Sequence, residues 1–304
     1  MSIPRVVSRS LVFAAALGVI TALAWERPAS STGRFRKLAE LTNTEINESS
    51  GLAISNRAPG IFWTHNDSGD RPRIFAFDQT GKHLGMCRLR GAGFIDWEDM
   101  ASFQRGGKSW LLLADIGDNA FDRQSYSLYL CEEPPVAALE VDATAIRFRY
   151  EDGGHNCEAV AVDPQQGVIL LAIKVFSSSC TIYELNLPEK ATSEVLVARQ
   201  LATVTIPLAT AMDISPDGRR AVIVTYSDAF EFGRSEGESW QQAFAKPPKQ
   251  LSMPIRRQGE SICYGADSRM LYLTSEKSPT PLWEVSPAME TIAPVSKTDL
   301  HNIK

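Results

Sequence analysis

Asp96-Trp-Glu-Asp-Met-Ala-Ser-Phe-Gln-Arg105, Gly106-Gly107, Lys108-Ser-Trp-Leu-Leu-Leu-Ala-Asp115, Ile-Gly-Asp-Asn119: this stretch sets two apolar runs on either side of a glycine pair. Two-residue hairpin turns need positive φ at one or both central residues, and glycine adopts it without steric penalty, so the stretch predicts a β-hairpin. A turn centred on the pair sets Glu98 across from Asp115. Two carboxylates facing each other at the open end of a hairpin repel, so one must be protonated, paired with a base or bound to a cation.

The same plan occurs five times. The copies run from Ser50 to Asn66, Glu98 to Asp115, Glu158 to Lys174, Thr210 to Tyr226 and Glu260 to Glu276, with an offset of 16 residues in four copies and 17 in one. They start 48, 60, 52 and 50 residues apart. Each is followed by a third strand pattern: Arg73-Ile-Phe-Ala-Phe77, Ser127-Leu-Tyr-Leu130, Thr181-Ile-Tyr-Glu-Leu185, Phe230-Glu-Phe232 and Leu282-Trp-Glu-Val285. A looser fourth follows in four copies, at His83–Leu89, Ala145–Tyr150, Gln200–Ile206 and Gln250–Ile255. Four-stranded units repeating about every fifty residues predict an all-β chain, a β-propeller of five four-stranded blades with six as the alternative. A strand at Phe35–Leu41 or at Thr291–Val295 would complete the last blade and close the ring, which removes exposed sheet edges.

Ahead of the repeats, Arg5 and Arg9 precede an apolar run from Leu11 to Ala24 that ends Ala22-Leu-Ala24. This reads as a secretory signal peptide over residues 1–24, since the run is short for a span of about 20 residues; an uncleaved anchor is the competing reading. Residues 25–33 form a polar linker, and 34–304 a single propeller domain. The chain is therefore expected to be exported, periplasmic or extracellular, and monomeric. The full chain carries 31 basic and 36 acidic residues. A mildly acidic protein without basic, aromatic-interleaved clusters is not expected to bind nucleic acid, nor a membrane beyond the leader.

Five cysteines stand at 87, 131, 157, 180 and 263. An exported protein can form disulfides, yet the odd count leaves at least one thiol unpaired within the chain. Cys87, Cys131 and Cys263 lie in apolar strand patterns and read as buried thiols, while Cys157 and Cys180 share a blade and could meet through their loops.

In a propeller, the loops before each innermost strand and after each second strand crowd one end of the central channel. Here those loops carry the acids. Glu98, Asp115, Glu158, Glu260 and Glu276 occupy the paired slots, Asn66 a further one, and Lys174 is the lone base among them. Crowded carboxylates are costly to desolvate, and a hard cation with oxygen ligands relieves them; Ca²⁺ accepts carboxylates and Asn carbonyls without strict geometry. These residues are the candidate ligands, and Ca²⁺ the expected ion. Glu158 and Lys174 read equally well as a cross-strand ion pair. His65, beside Asn66 and Asp67, is a candidate base. Asp70, Asp118 and Asn119 read as turn-closing residues, and the tryptophans as packing between blades.

The strings His65-Asn-Asp-Ser-Gly-Asp70, Asp96-Trp-Glu-Asp-Met-Ala101, Asp115-Ile-Gly-Asp-Asn119, Cys157-Glu-Ala-Val-Ala161, Asp213-Ile-Ser-Pro-Asp-Gly218 and Gln258-Gly-Glu-Ser-Ile262 resemble a group of exported bacterial propeller proteins without an assigned activity. More distantly, the chain resembles the calcium-dependent propeller clan of gluconolactonases, paraoxonase-like esterases, SdiA-regulated proteins and NHL-repeat proteins. In the lactonase branch a Glu entering an inner strand holds the metal with Asn and Asp from other blades, and Glu98, Glu158 and Glu260 match that Glu in kind. Thr210 and Tyr226 stand where the fourth copy would supply the branch's other ligands, and there is no Gly-x-Ser-x-Gly nucleophile elbow.

Two functions follow as expectations. The first is a binding protein whose acidic rim holds a cation and takes a small-molecule or protein ligand. The second is a metal-dependent hydrolase of a lactone, ester or phosphoester, with His65 or a rim carboxylate as base and Lys174 stabilising developing negative charge.

Overall fold

Apolar residues spaced for strands and broken by glycine turns fold into a series of antiparallel ladders. A computed structural model describes residues 34–287; the leader, the linker and the strand expected at Thr291–Val295 lie outside them. In chain order the strands are β1 (Arg34–Glu40), β2 (Ser49–Ile54), β3 (Ile61–Asn66), β4 (Arg73–Asp78), β5 (His83–Arg90), β6 (Trp97–Arg105) and β7 (Lys108–Asp115). They continue with β8 (Tyr126–Glu132), β9 (Glu140–Asp142), β10 (Thr144–Tyr150), β11 (Cys157–Asp163), β12 (Val168–Ile173), β13 (Cys180–Asn186) and β14 (Leu196–Val204). The last group is β15 (Ala211–Ile214), β16 (Arg220–Val224), β17 (Asp228–Gly233), the short helix α1 (Trp240–Phe244), β18 (Lys249–Ser252), β19 (Cys263–Tyr264), β20 (Leu271–Leu273) and β21 (Pro281–Ser286).

Hydrogen bonding orders these strands as β2-β3-β4-β5-β9, β6-β7-β8-β10 joined edge to edge with β14-β13-β12-β11, β15-β16-β17-β18, and β19-β20-β21-β1. The join is a short parallel pairing of Phe148–Tyr150 with Leu196–Ala198. The innermost strands β2, β6, β11, β15 and β19 touch one another in that order, and β19 returns to β2. Sheets arranged around a closed ring of inner strands make a β-propeller. The chain's first strand completes its last sheet: β1 lies antiparallel on β21, Arg34 across from Ser286 and Glu40 across from Pro281. That pairing covers an edge that would otherwise template association.

The hairpin that decides the fold forms as its glycines dictate. Gly106 and Gly107 take φ of 61° and 74°, and Arg105 pairs with Lys108 across them. At its open end the register differs from the simple expectation. Trp97, not Glu98, stands across from Asp115, because the ladder slips between Trp97 and Asp99 and leaves Glu98 as the extra residue of a bulge. The same slip singles out Glu158 between Cys157 and Ala159. A slip also falls between Ser49 and Leu52. A bulge bends its strand and re-aims the extra side chain, so three inner strands turn at equivalent points.

Between the inner strands, side chains satisfy backbone groups that no ladder reaches. The Asp99 carboxylate accepts from the N–H of Val160 on β11 (2.9 Å) and Met212 on β15 (3.1 Å), and Asp213 accepts from the N–H of Tyr264 (2.7 Å). Buried backbone donors left unpaired are costly, so these two aspartates lace neighbouring sheets together. Trp63, Trp97 and Trp240 are fully buried; the indole N–H of Trp63 donates to Glu133 and that of Trp240 to Asp163. All five cysteines are buried free thiols, Cys157 and Cys180 included.

Candidate metal centre

The loops leaving β3, β7 and β20 and those leading to β6 and β19 meet at one mouth of the ring. Asp67, the first residue after β3, is fixed by its N–H donating to the Glu48 carbonyl (2.9 Å). Asp96 precedes β6, and its carbonyl accepts from the N–H of Ile116 (3.1 Å) and Gly117 (3.2 Å). Glu98 is carried in by the bulge. From the other side come Glu260 and Glu276, the latter through a bridge with Glu48.

One carboxylate oxygen each of Asp67, Asp96 and Glu98 lie within 4.8 Å of one another, and so do those of Asp67, Glu260 and Glu276. Asp67 belongs to both groups. Oxygens on opposite sides of a Ca²⁺ ion stand about 4.6–5.2 Å apart, given bonds of about 2.3–2.6 Å; the spacing is that of a coordination sphere. The donors are all hard oxygens, the set suited to such an ion.

Glu98 is 4% exposed, Glu260 and Glu276 5% each. No hydrogen-bond donor reaches the Glu98 carboxylate among the described residues. Gly117 makes room for it: a Cβ there would stand 2.1 Å from Glu98 Oε1 and 2.3 Å from Asp96 Oδ2. The clash would be with the carboxylate oxygens themselves, so a side chain at 117 and this pair of acids exclude each other.

Burial drives the acids' proton affinities upward. Asp67 is pushed up to about 7, by burial first and then by the charges of Asp96 and Glu276 against the restraint of the Ser68 N–H. Glu260 rises to about 9 through burial and its contact with Glu276. Glu98 lies well above the usual carboxylate range, through burial and then the charges of Glu158, Asp67 and Asp96. Burial also raises Asp96 and Glu158. Two ammonium groups face this set. Lys174 pairs with Glu158 and lies 5.1 Å above the Tyr226 ring; burial alone would lower its proton affinity, and Glu158 reverses that. Lys277, half exposed, reaches Glu276 at 3.2 Å.

Of the ligands expected from sequence, the fold brings Glu98, Glu260 and Glu276 together around Asp67. Glu158 stands near them with Lys174 as its counter-ion. Asp115 sits under the site: Arg123 pairs with it at 3.0 Å, and it accepts from the N–H of Ile95 and Asp96, both at 3.2 Å. Asn66 is fully engaged, its amide donating to the Glu45 carbonyl (2.7 Å) and Asp70 (3.0 Å) and its oxygen accepting from the Glu48 N–H (3.2 Å). Both hold the loops that carry the acids. His65 is fully buried, its Nδ1 against the Asn66 carbonyl at 2.9 Å and its ring edge-on to Trp97. Burial lowers it to about 4. Asp118 closes its loop as expected, accepting from Tyr126 and from the N–H of Asp122 and Arg123.

Asp67 and Asp96 are the members that slot-by-slot reading passes over. Each flanks a paired slot, one residue after Asn66 and two before Glu98, and the signal was the acid adjacent to the slot. Beside the Asp67 loop lies a cavity of about 330 Å³ lined by residues including Glu48, Asn66, Asp70 and Arg73.

No protein-family model matches the chain. Nor does any curated protein. Among solved structures, the Pan2 WD40 domain of Neurospora crassa is similar at 9% identity, covering 85% of this chain and 97% of that one, with a TM-score of 0.47. The propeller is established by the closed ring of inner strands, not by that likeness.

Proposed function

We propose that this chain is an exported five-bladed β-propeller that binds a divalent cation, Ca²⁺, at the acidic mouth of its channel and uses that mouth to hold a ligand. The observation that carries this reading is Glu98, a carboxylate 4% exposed, with no hydrogen-bond donor among the described residues, set beside Asp67 and Asp96 at coordination spacing. A buried charge of that kind is stable only when protonated or matched, and a bound ion matches several at once. Asp67 lies where one ion can draw on either group of acids. Asp115 and Asn66 act as positioning residues beneath it.

Binding is favoured over hydrolysis because one group a hydrolase would use is fully buried and the other is already paired. His65 is packed against Trp97 and Lys174 is bound to Glu158.

Added Ca²⁺ is expected to raise the melting temperature. An ion selective for the folded chain stabilises it by about 2.7 kcal/mol at about a hundred times its Kd, roughly 5–10 °C for a domain of this size. A Glu98→Gln, Glu260→Gln variant should lose the shift. Melting curves that do not respond to Ca²⁺, Mg²⁺ or Mn²⁺ in wild type would overturn the proposal.

A further inference from the structure

The most exposed large apolar side chains include Ile95 (66%), Phe121 (65%), Phe176 (93%) and Ile255 (99%). All four belong to the loops that make the mouth. Ile95 directly precedes Asp96; Phe121 follows the Asp115–Asn119 turn; Phe176 stands two residues after Lys174; Ile255 lies on the loop leading to Glu260. Phe121 is held outward by its loop, with φ of 54°, its N–H donating to the Asp118 carbonyl (3.0 Å). Isolated exposed apolar residues are ordinary, but several gathered on one face mark an interaction surface. Inside this collar, Asp67, Asp96, Glu98, Glu158, Glu260 and Glu276 face two lysines. One divalent ion held by Glu98 and its neighbours still leaves that set formally negative.

We infer that the mouth is a docking face for a protein segment that presents a lysine or arginine flanked by apolar residues. The cationic group seats among the carboxylates, and the flanking side chains cover Phe121, Phe176 and Ile255. Charge complementarity selects a basic guest over an acidic one. The spread of the collar over the second, third and fifth repeats calls for a polypeptide. This rests on the reading of the mouth as the binding site and names its partner.

The test is fluorescence anisotropy of the full chain with three labelled nonapeptides: one with a central Lys between Phe and Leu residues, one with Glu in place of the Lys, and one with Ser in place of the Phe and Leu residues. The Lys peptide is expected to bind, and the other two at least about tenfold more weakly, a difference of about 1.4 kcal/mol. Phe176→Ser, Ile255→Ser, a variant altered only at exposed positions, should weaken the Lys peptide about tenfold while keeping the Ca²⁺ melting shift. Glu98→Gln, Glu260→Gln should lose both. Three peptides binding alike, no binding below about 1 mM, or a collar variant that binds as wild type would overturn the inference. A Ca²⁺ shift without Lys-peptide binding removes the docking face alone, and peptide binding without a Ca²⁺ shift removes the cation reading alone.

Discussion

Gly117 has no side chain, and the mouth depends on that. Its φ does not lie in the left-handed region, so alanine fits the backbone; what alanine cannot share is the space of Glu98 Oε1 and Asp96 Oδ2. Gly117→Ala is therefore expected to leave the fold intact by circular dichroism and to reduce the Ca²⁺ melting shift to less than about half of the roughly 2.7 kcal/mol expected of wild type. A full shift in that variant would mean that these acids do not hold the ion. At this scale the sequence was partly legible. Glu98, Glu260 and Glu276 stood out because no base occupies their slots, and each falls in a triad of acids that includes Asp67. Asp115 and Asn66 hold their own loops, and the sequence could not say so: a polar residue at the end of a second strand can face the channel or hold its loop, and residue type alone does not say which. Arg123, eight residues on, takes Asp115, a pairing that depends on how the loop folds back.

Among elements, the inner hairpins were the most legible, since glycine pairs and period-two apolar runs leave few alternatives. The bulges at Glu98 and Glu158 were not, because a one-residue slip preserves the apolar pattern on both sides of it. Asp99 was equally hidden: its acceptors' partners lie 61 and 113 residues away, on sheets whose adjacency only closure creates. The strand expected at Phe35–Leu41 does complete the last sheet, as β1, with Ala39 paired to Leu282. Removing residues through Glu40 is expected to open β21 to solvent, lower the melting temperature by at least about 5 °C and make the chain associate through the free edge. Light scattering and thermal melts check both, and a truncated chain that stays monomeric and equally stable would contradict closure by β1.

For the whole molecule, gathering acids at one mouth couples stability to pH. Asp67 binds its proton up to about 7 in the folded chain and Glu260 up to about 9, whereas in the unfolded chain both release it near pH 4. Between those values the folded state holds more protons, so the stability tied to each group is complete below about pH 4 and is lost as pH rises through about 7 for Asp67 and about 9 for Glu260. The chelated protein should melt progressively lower from pH 5 to pH 9, and the Ca²⁺ shift should grow over the same range as the ion displaces those protons. A Ca²⁺ effect that shrinks with rising pH would run against this linkage. The repeat made the overall architecture legible because four-stranded units recurring about every fifty residues call for sheets set around a ring; what the repeat could not reveal is which loop acids converge once the ring has closed.

The most direct measurement is the ion content of the chain itself, by mass spectrometry of the metal after equilibration with micromolar Ca²⁺ and removal of free ion. About one Ca²⁺ per chain is expected, and none in Glu98→Gln, Glu260→Gln. Wild-type protein holding less than roughly a tenth of an ion per chain, or a variant loaded equally well, would contradict it.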